Sequence, residues 1–235
     1  MRTYVRKAQV TRRIGVLIPA TNTVVERELW ALRLDDVDIA TARIDVPNNS
    51  IGSDTAEQSL VDDILSGVPA ALDTLMTARP GCVLLAMSAA SFRDGAQGLR
   101  RLEAELSQRA GVSVVGGAQA LVEALQEVPR ARRVATVTPY RITNLANVRG
   151  FLEHMGYEVV AERSLDCETA QSIAQVPTAR IVDALRSLAQ EPVDAILQVG
   201  TNLAAAHLEP RSQEWAGVPL ITINRALLRA GLRRV

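Results

Sequence analysis

The chain has 235 residues, of which 48% are hydrophobic and only 3% are aromatic. Its 26 Lys and Arg balance 26 Asp and Glu, so the formal net charge is +0 and no global field attracts nucleic acid or an anionic membrane. Two cysteines and two histidines are too few for a disulfide framework or a histidine-rich metal site. We therefore expect no metal, no nucleic-acid partner and no membrane partner.

The first predicted elements follow a basic arm, residues 1–13, which lacks the apolar stretch of a secretory signal. We therefore expect a cytoplasmic protein. A buried strand begins near Ile14, and residues 22–32 have apolar positions at helical spacing, with Asn22 or Thr23 placed to cap the helix. The amino end of this helix is expected to face a ligand cleft.

Apolar runs and helical periodicity then alternate to the end of the chain. Further strands are predicted at residues 37–46, 82–87, 112–115, 132–138, 158–161, 194–199 and 219–223. Helices are predicted at residues 55–78, 99–109, 119–126, 144–155, 178–189, 203–208 and 224–230, and the first of these is either one helix or two that break near Gly67 and Pro69. Turn formers at residues 47–54 predict a loop that covers a ligand.

Two strand-to-loop junctions occur twice in the chain. Residues 14–22 are echoed by residues 134–144, and residues 83–92 are echoed by residues 195–203. Alternating strands and helices predict an α/β fold with a parallel sheet in each half, and the carboxyl ends of such strands face one cleft. The predicted domains are residues 1–117 plus 218–235, and residues 118–217.

The loops at these junctions are rich in small residues and hydroxyl groups. Loops after parallel strands offer backbone N–H groups and helix amino ends, which stabilise a carboxylate or phosphate with little need for Lys or Arg. No GxGxxG fingerprint follows the first strand, and no GxxxxGK[ST] loop occurs; both absences disfavour a nucleotide-binding module. A small carboxylate is the expected ligand, and we expect no cofactor.

Four segments, taken in order, resemble the maleate isomerase branch of the aspartate/glutamate racemase superfamily, to which arylmalonate decarboxylases also belong. They are IGVLIPATNTVVERE from Ile14, AMSAASFRDG from Ala86, VTPYRITN from Val137 and VGTNL from Val199. The resemblance extends from about residue 13 to residue 228. It implies two flavodoxin-like domains related by a pseudo-twofold, a cofactor-free site between them, a small dicarboxylate as ligand, and a homo-oligomer.

The resemblance also assigns residues to the site. Substrate contacts carried over by position fall on Asn22, Ser88, Ala89, Ser91, Tyr140, Gly200, Thr201 and Asn202. Tyr140 is in addition a candidate catalytic residue, because a phenol can donate to a carboxylate or to a developing oxyanion. His207, on a predicted short helix, is the second catalytic candidate as the best remaining acid or base.

The chain departs from the family at the two positions that matter most for chemistry. Family members place a catalytic cysteine in each half, where this chain has Met87 and Gly200. A thioether cannot take a proton or attack a double bond at neutral pH, and glycine has no side chain. Cys82 is expected to be a small buried hydrophobe and Cys167 to be exposed in a polar stretch, and neither is expected to be reactive.

Two hypotheses about function follow. The first is an enzyme that acts on a small carboxylate or dicarboxylate without a cofactor or a cysteine, by isomerase or decarboxylase chemistry through a stabilised enolate-like intermediate. The second is an inactive homologue that serves as a carboxylate-binding or regulatory protein. Turnover would distinguish the first from the second.

Overall fold

The computed structural model describes residues 12–46, 51 and 53–235. Residues 1–11 of the basic arm and most of the predicted loop at residues 47–54 therefore lie outside the described residues, whereas Arg12 and Arg13 begin the first strand. No helix in the described part of the chain is long and apolar enough to cross a membrane.

The first half of the chain builds one four-stranded parallel sheet. Its strands are β1 Arg12–Pro19, β2 Val37–Ile44, β3 Cys82–Leu85 and β4 Ser113–Gly116, in the order β2-β1-β3-β4. Its helices are α1 Val25–Leu32, α2 Asp54–Met76, α3 Ser88–Phe92, α4 Gly95–Ala110 and α5 Gly117–Leu125. Strand β3 is buried along its whole length, as expected for a parallel strand that helices cover on both faces.

The second half repeats this plan. Its strands are β5 Arg133–Thr138, β6 Glu158–Ser164, β7 Ala195–Gln198 and β8 Leu220–Thr222, in the order β6-β5-β7-β8. Its helices are α6 Ile142–His154, α7 Ala170–Ala174, α8 Thr178–Leu188, a 3-10 helix Ala206–Arg211, α9 Ser212–Ala216 and α10 Ile223–Leu232. Since all pairings are parallel and both strand orders follow the flavodoxin-like pattern, the predicted fold class is confirmed.

The two halves share their core. Phe92 of α3 and Phe151 of α6 meet edge to face across the halves, with ring centroids 5.2 Å apart. Helix α10 follows β8 of the second sheet but packs on α5, β3 and β4 of the first half. The chain therefore returns to the first half after residue 222. The boundaries given above for the two domains stay a prediction.

Helix α2 runs without a break through Gly67 and Pro69, which decides between the two alternatives left open by the sequence. A continuous buried face that includes Leu60, Ile64 and Leu72 holds the helix together although a proline removes one backbone hydrogen bond. At Gly67 a Cβ atom would lie 2.8 Å from Cγ2 of Ile44, so glycine is needed for the close approach of α2 to β2.

Three local predictions were wrong. The loop expected at the junction of residues 83–92 is in part helical, as α3. The helix expected at residues 203–208 begins only at Ala206 and is a 3-10 helix that contains Pro210, which cannot donate a backbone hydrogen bond. Helix α7 was missed, although Thr169 and Ser172 form a reciprocal capping box at its start.

Candidate active site

A cavity of about 70 Å³ opens where the loops after β1, β3, β5 and β7 converge. Because one water needs roughly 10–15 Å³ of such space, the cavity suits several waters or a small ligand. No described residue that lines it carries a charge. The lining residues are Pro19, Thr21, Asn22, Leu60, Ile64, Met87, Ser88, Ala89, Ala90, Tyr140, Ala170, Ile173, Gly200, Thr201 and Asn202.

Asn22 ties the first loop to the opposite half. Its Oδ1 accepts hydrogen bonds from the backbone N–H groups of Val24 (3.0 Å) and Val25 (3.1 Å), at the start of α1. Its Nδ2 donates to Oγ1 of Thr201 at 3.1 Å. The predicted capping role is therefore present, and the same side chain joins the loops after β1 and β7.

The loop after β7 is held by several further hydrogen bonds. Oγ1 of Thr201 donates to the backbone oxygen of Ala86 at 3.1 Å. Oδ1 of Asn202 accepts from the backbone N–H of Thr23 at 3.0 Å, and its Nδ2 donates to the backbone oxygen of Ala170 at 2.8 Å. These contacts fix the pocket wall before any ligand arrives.

Ser88 and Tyr140 form a pair of hydroxyl groups in hydrogen-bond contact. Oγ of Ser88 also accepts from the backbone N–H of Thr201 at 3.3 Å. Each hydroxyl has one proton to donate, and the contact between the two uses only one of them. The pair therefore keeps one O–H that no described group accepts, and both residues line the cavity.

The phenol of Tyr140 is a donor and not a base. Burial raises the pKa of Tyr140 well above its ordinary value, and the nearby charge of Glu57 adds to this, whereas hydrogen bonds from Ser88 and from the backbone N–H of Ala89 act in the opposite direction. The hydroxyl is consequently protonated at neutral pH, which is the state needed to stabilise an anion.

Two of the predicted site residues do not line the cavity. Oγ of Ser91 donates to the backbone oxygen of Met87 at 2.7 Å, within α3. His207 is exposed on the 3-10 helix and is absent from the described lining. The helical conformation of α3 turns Ser91 away from the cavity, and the later start of the 3-10 helix carries His207 out to solvent.

Met87 and Gly200 both line the cavity, but their backbones differ. Met87 has an extended backbone, with φ −139°. Gly200 has φ +141°, and a Cβ atom there would lie 2.7 Å from Cδ and 2.9 Å from Cγ of Pro139. A side chain is therefore readily accommodated at residue 87 and excluded at residue 200.

Neither cysteine lines the cavity. Cys82 is buried at the start of β3, and burial raises its pKa to about 11. Cys167 is only 5% exposed, so the expectation that it is exposed was wrong; its backbone N–H donates to the backbone oxygen of Pro139, which holds it inside. Burial raises the pKa of Cys167 too, which favours the unreactive thiol over the thiolate.

Two buried glutamates were missed by sequence reasoning. Glu28 accepts hydrogen bonds from the backbone N–H of Ala206 (3.0 Å) and from Nδ2 of Asn224 (2.7 Å). Glu57 likewise accepts from one backbone N–H, that of Arg141, and from one amide Nδ2, that of Asn144, where β5 leads into α6. The only signal in the sequence is that each carboxylate falls on the apolar face of its helix.

Among the described residues, no group of three or more His, Cys, Asp or Glu is placed to hold a metal ion.

Glu28 should make stability depend on pH. Burial raises the pKa of Glu28. Hydrogen bonds from Asn224 and Ala206 and the charges of His207 and Arg27 lower it, but burial has the larger effect. Glu28 therefore keeps its proton to higher pH in the folded state than in the unfolded state. The stability that this difference contributes is fully present in acid and is lost as the pH rises through the folded pKa of Glu28.

We expect the unfolding free energy of the native protein, minus that of Glu28→Gln, to fall from acid to neutral pH. Urea denaturation across this range measures it. Glu26→Gln is the matched control, because Glu26 is on the same helix and forms a partly exposed ion pair with Arg43. A constant difference for Glu28→Gln would contradict the prediction.

The family model of arylmalonate decarboxylase matches residues 21–235. The chain belongs to the arylmalonate decarboxylase family. The maleate isomerase of Nocardia farcinica (strain IFM 10152) is 26% identical over 223 residues, which is 92% of this chain and 86% of that protein. The maleate isomerase of Pseudomonas putida (strain KT2440) is 26% identical over 234 residues, or 93% and 91% of the two chains.

Solved structures within the arylmalonate decarboxylase and maleate isomerase group have the same fold. Nocardia farcinica maleate cis-trans isomerase bound to TRIS superposes with a TM-score of 0.86, at 24% identity over 95% of this chain and 92% of that one. A mutant of arylmalonate decarboxylase in the liganded form gives a TM-score of 0.81, at 20% identity over 95% and 92%. Another Nocardia farcinica structure, a cysteine-to-serine mutant with a covalently bound succinylcysteine intermediate, gives 0.85 at 25% identity, over 95% and 92% of the two chains.

Proposed function

We propose that this member of the family is a decarboxylase for a small malonate-like dicarboxylate that works without a cofactor and without a cysteine. Its family relatives are maleate isomerases and arylmalonate decarboxylases. The observation that carries the proposal is the neutral cavity in which the Ser88–Tyr140 pair keeps one free O–H and to which neither thiol contributes.

The apolar side of the cavity favours loss of carbon dioxide. Leu60, Ile64 and Ile173 line it together with Met87. A carboxylate that faces this wall loses its hydration without gaining a cation, which destabilises it relative to the neutral carbon dioxide that leaves. A pocket with charged partners on both sides would hold a dicarboxylate without promoting this step.

The hydroxyl pair supports the carboxylate that remains. When the carbon–carbon bond breaks, its electron pair moves into the retained carboxyl group and forms an enediolate. The free O–H of the Ser88–Tyr140 pair donates to the developing oxyanion, where a preorganised donor in a site with little water is most effective. A water molecule then gives the carbon its proton, and the hydroxide that remains combines with the released carbon dioxide as bicarbonate.

Isomerisation through a cysteine adduct is the less favoured alternative. The succinylcysteine intermediate of the Nocardia farcinica mutant needs a thiol at the ligand, and both thiols of this chain lie outside the cavity lining. Binding without turnover, as in a regulatory protein, is the outcome that would refute catalysis. Cytoplasmic location and homo-oligomeric assembly stay predictions.

Proton NMR in D2O tests the proposal directly. The native protein is incubated with alkyl- and arylmalonates, maleate, aspartate, glutamate and hydantoins, and both turnover and deuterium incorporation are recorded. Loss of carbon dioxide from a malonate, with one deuterium at the new C–H position, is the expected result.

Met87→Cys is the matched variant for this experiment, because the extended backbone at residue 87 accepts any side chain. It restores a thiol in the cavity without touching Pro139. Turnover by the native protein supports chemistry without cysteine. Turnover by Met87→Cys alone would contradict it, and line broadening of a ligand by a protein that never converts it would favour the binding-protein hypothesis.

A further inference from the structure

Glu57 is a carboxylate that lies just behind the cavity and is 1% exposed. Its Oε1 accepts a hydrogen bond from the backbone N–H of Arg141 at 3.1 Å, and its Oε2 accepts from Nδ2 of Asn144 at 2.9 Å. Both donors belong to the segment that directly follows Tyr140. Glu57 of the first half thus adds to the Ser88–Tyr140 contact in holding the loop of the second half that carries the phenol.

The same helix also forms the apolar wall of the cavity. Leu60 and Ile64 line the cavity, and they stand three and seven positions after Glu57, on one face of α2. The carboxylate therefore fixes the distance between this wall and the loop of Tyr140. Without it, the backbone N–H of Arg141, at the start of α6, has no partner within that helix.

We propose that Glu57 is a positioning residue, which locks the Tyr140 loop to α2 and so sets the phenol opposite the apolar wall. The inference rests on the proposed function in one respect, namely that the phenol serves a bound carboxylate. The structural part, that Glu57 holds the loop and acts on the phenol, can be measured without any substrate.

Charge adds a second effect to the geometric one. Burial and the charge of Asp54 raise the pKa of Glu57. Hydrogen bonds from Arg141 and Asn144, together with the charge of Arg141, lower it. Besides burial, Glu57 and Cys167 raise the pKa of Tyr140, and Ser88 and the N–H of Ala89 lower it. Removing the charge of Glu57 should therefore make the phenol more acidic, which a side chain with a purely space-filling role would not do.

Fluorine NMR of protein labelled with 3-fluorotyrosine provides the readout. The chain has 3 tyrosines, and the resonance of Tyr140 is assigned by its absence from Tyr140→Phe. In Glu57→Gln we expect its titration midpoint to fall, because the charge that opposes ionisation of the phenol is gone. Asp62→Asn is the matched control, because Asp62 lies on the same helix but is exposed and pairs with Arg93; its midpoint should equal that of the native protein.

A second measurement needs no variant. In the native protein, hydrogen exchange at the backbone N–H of Arg141 should be slow, although the first N–H groups of a helix ordinarily exchange fast. Fast exchange at Arg141, or an unchanged midpoint in a folded Glu57→Gln, would overturn the inference.

Turnover separates this inference from the proposed function. If a malonate is converted, Glu57→Gln should lower kcat/KM about 10- to 100-fold, with Asp62→Asn unchanged. A shifted titration and a protected Arg141 in a protein that converts nothing would support the role of Glu57 and contradict the decarboxylase. Turnover that survives Glu57→Gln intact would overturn the role of Glu57 alone.

Discussion

Gly200→Ala is expected to lower the unfolding free energy by about 2–6 kcal/mol. A non-glycine residue held at an unfavourable φ costs roughly 1–3 kcal/mol, and forcing atoms into a filled space costs about as much again. Both penalties apply here, since φ is +141° and a Cβ atom would lie 2.7 Å from Cδ of Pro139. Urea denaturation monitored by circular dichroism measures the loss.

Two other glycines separate the two causes. Gly217 has φ +74° with no atom within 4 Å of a Cβ, so Gly217→Ala should cost only about 1–2 kcal/mol. Gly150 lies within α6 and is equally open, so Gly150→Ala should stabilise the protein by about 1 kcal/mol. If Gly200→Ala is as stable as Gly217→Ala, contact with Pro139 does not exclude a side chain at residue 200.

Tyr140→Phe is expected to reduce turnover of the malonate substrate about 100- to 1000-fold, the usual effect of deleting one donor to an oxyanion. The ring stays and keeps its packing, so the fold should persist. What disappears is the phenolic O–H, one of the two hydroxyl groups of the Ser88–Tyr140 pair. Steady-state kinetics should show the loss in kcat, because the donor matters most when charge develops on the substrate.

Tyr157→Phe is the control for this change. Tyr157 is partly buried beside the core but does not line the cavity, so its hydroxyl has no role in the proposed reaction. Kinetics of this variant should match the native protein. A small loss in Tyr140→Phe, comparable with that in Tyr157→Phe, would remove the phenol from the mechanism.

The repeated strands were predictable because each is a short local pattern. The segment from Cys82 is an uninterrupted apolar run between turn formers, which is enough to indicate a buried parallel strand. The junctions after such strands then place Asn22, Ser88, Tyr140 and Thr201 at one edge, and the cavity contains all four. Here local sequence and sheet topology together determine the location of the site.

The remaining features depend on contacts between distant residues. Cys167 stands in a polar stretch and is nevertheless buried, since its backbone N–H is taken up by the oxygen of Pro139. Nothing in the sequence around Glu57 indicates that its donors lie 84 and 87 positions away. Likewise, the apolar contribution of α2 to the cavity wall becomes visible only when the two halves are packed together.

The hydrogen bond between Asn22 and Thr201 joins residues 179 positions apart. Because closing so long a segment of chain is entropically costly, the cavity is complete only once both sheets have formed and docked. Ligand binding then reports the docking of the two halves and not the folding of either one. A ligand that fits the cavity should slow the separation of the halves and leave the opening of single helices unaffected. It would therefore stabilise the docked arrangement of the two halves specifically.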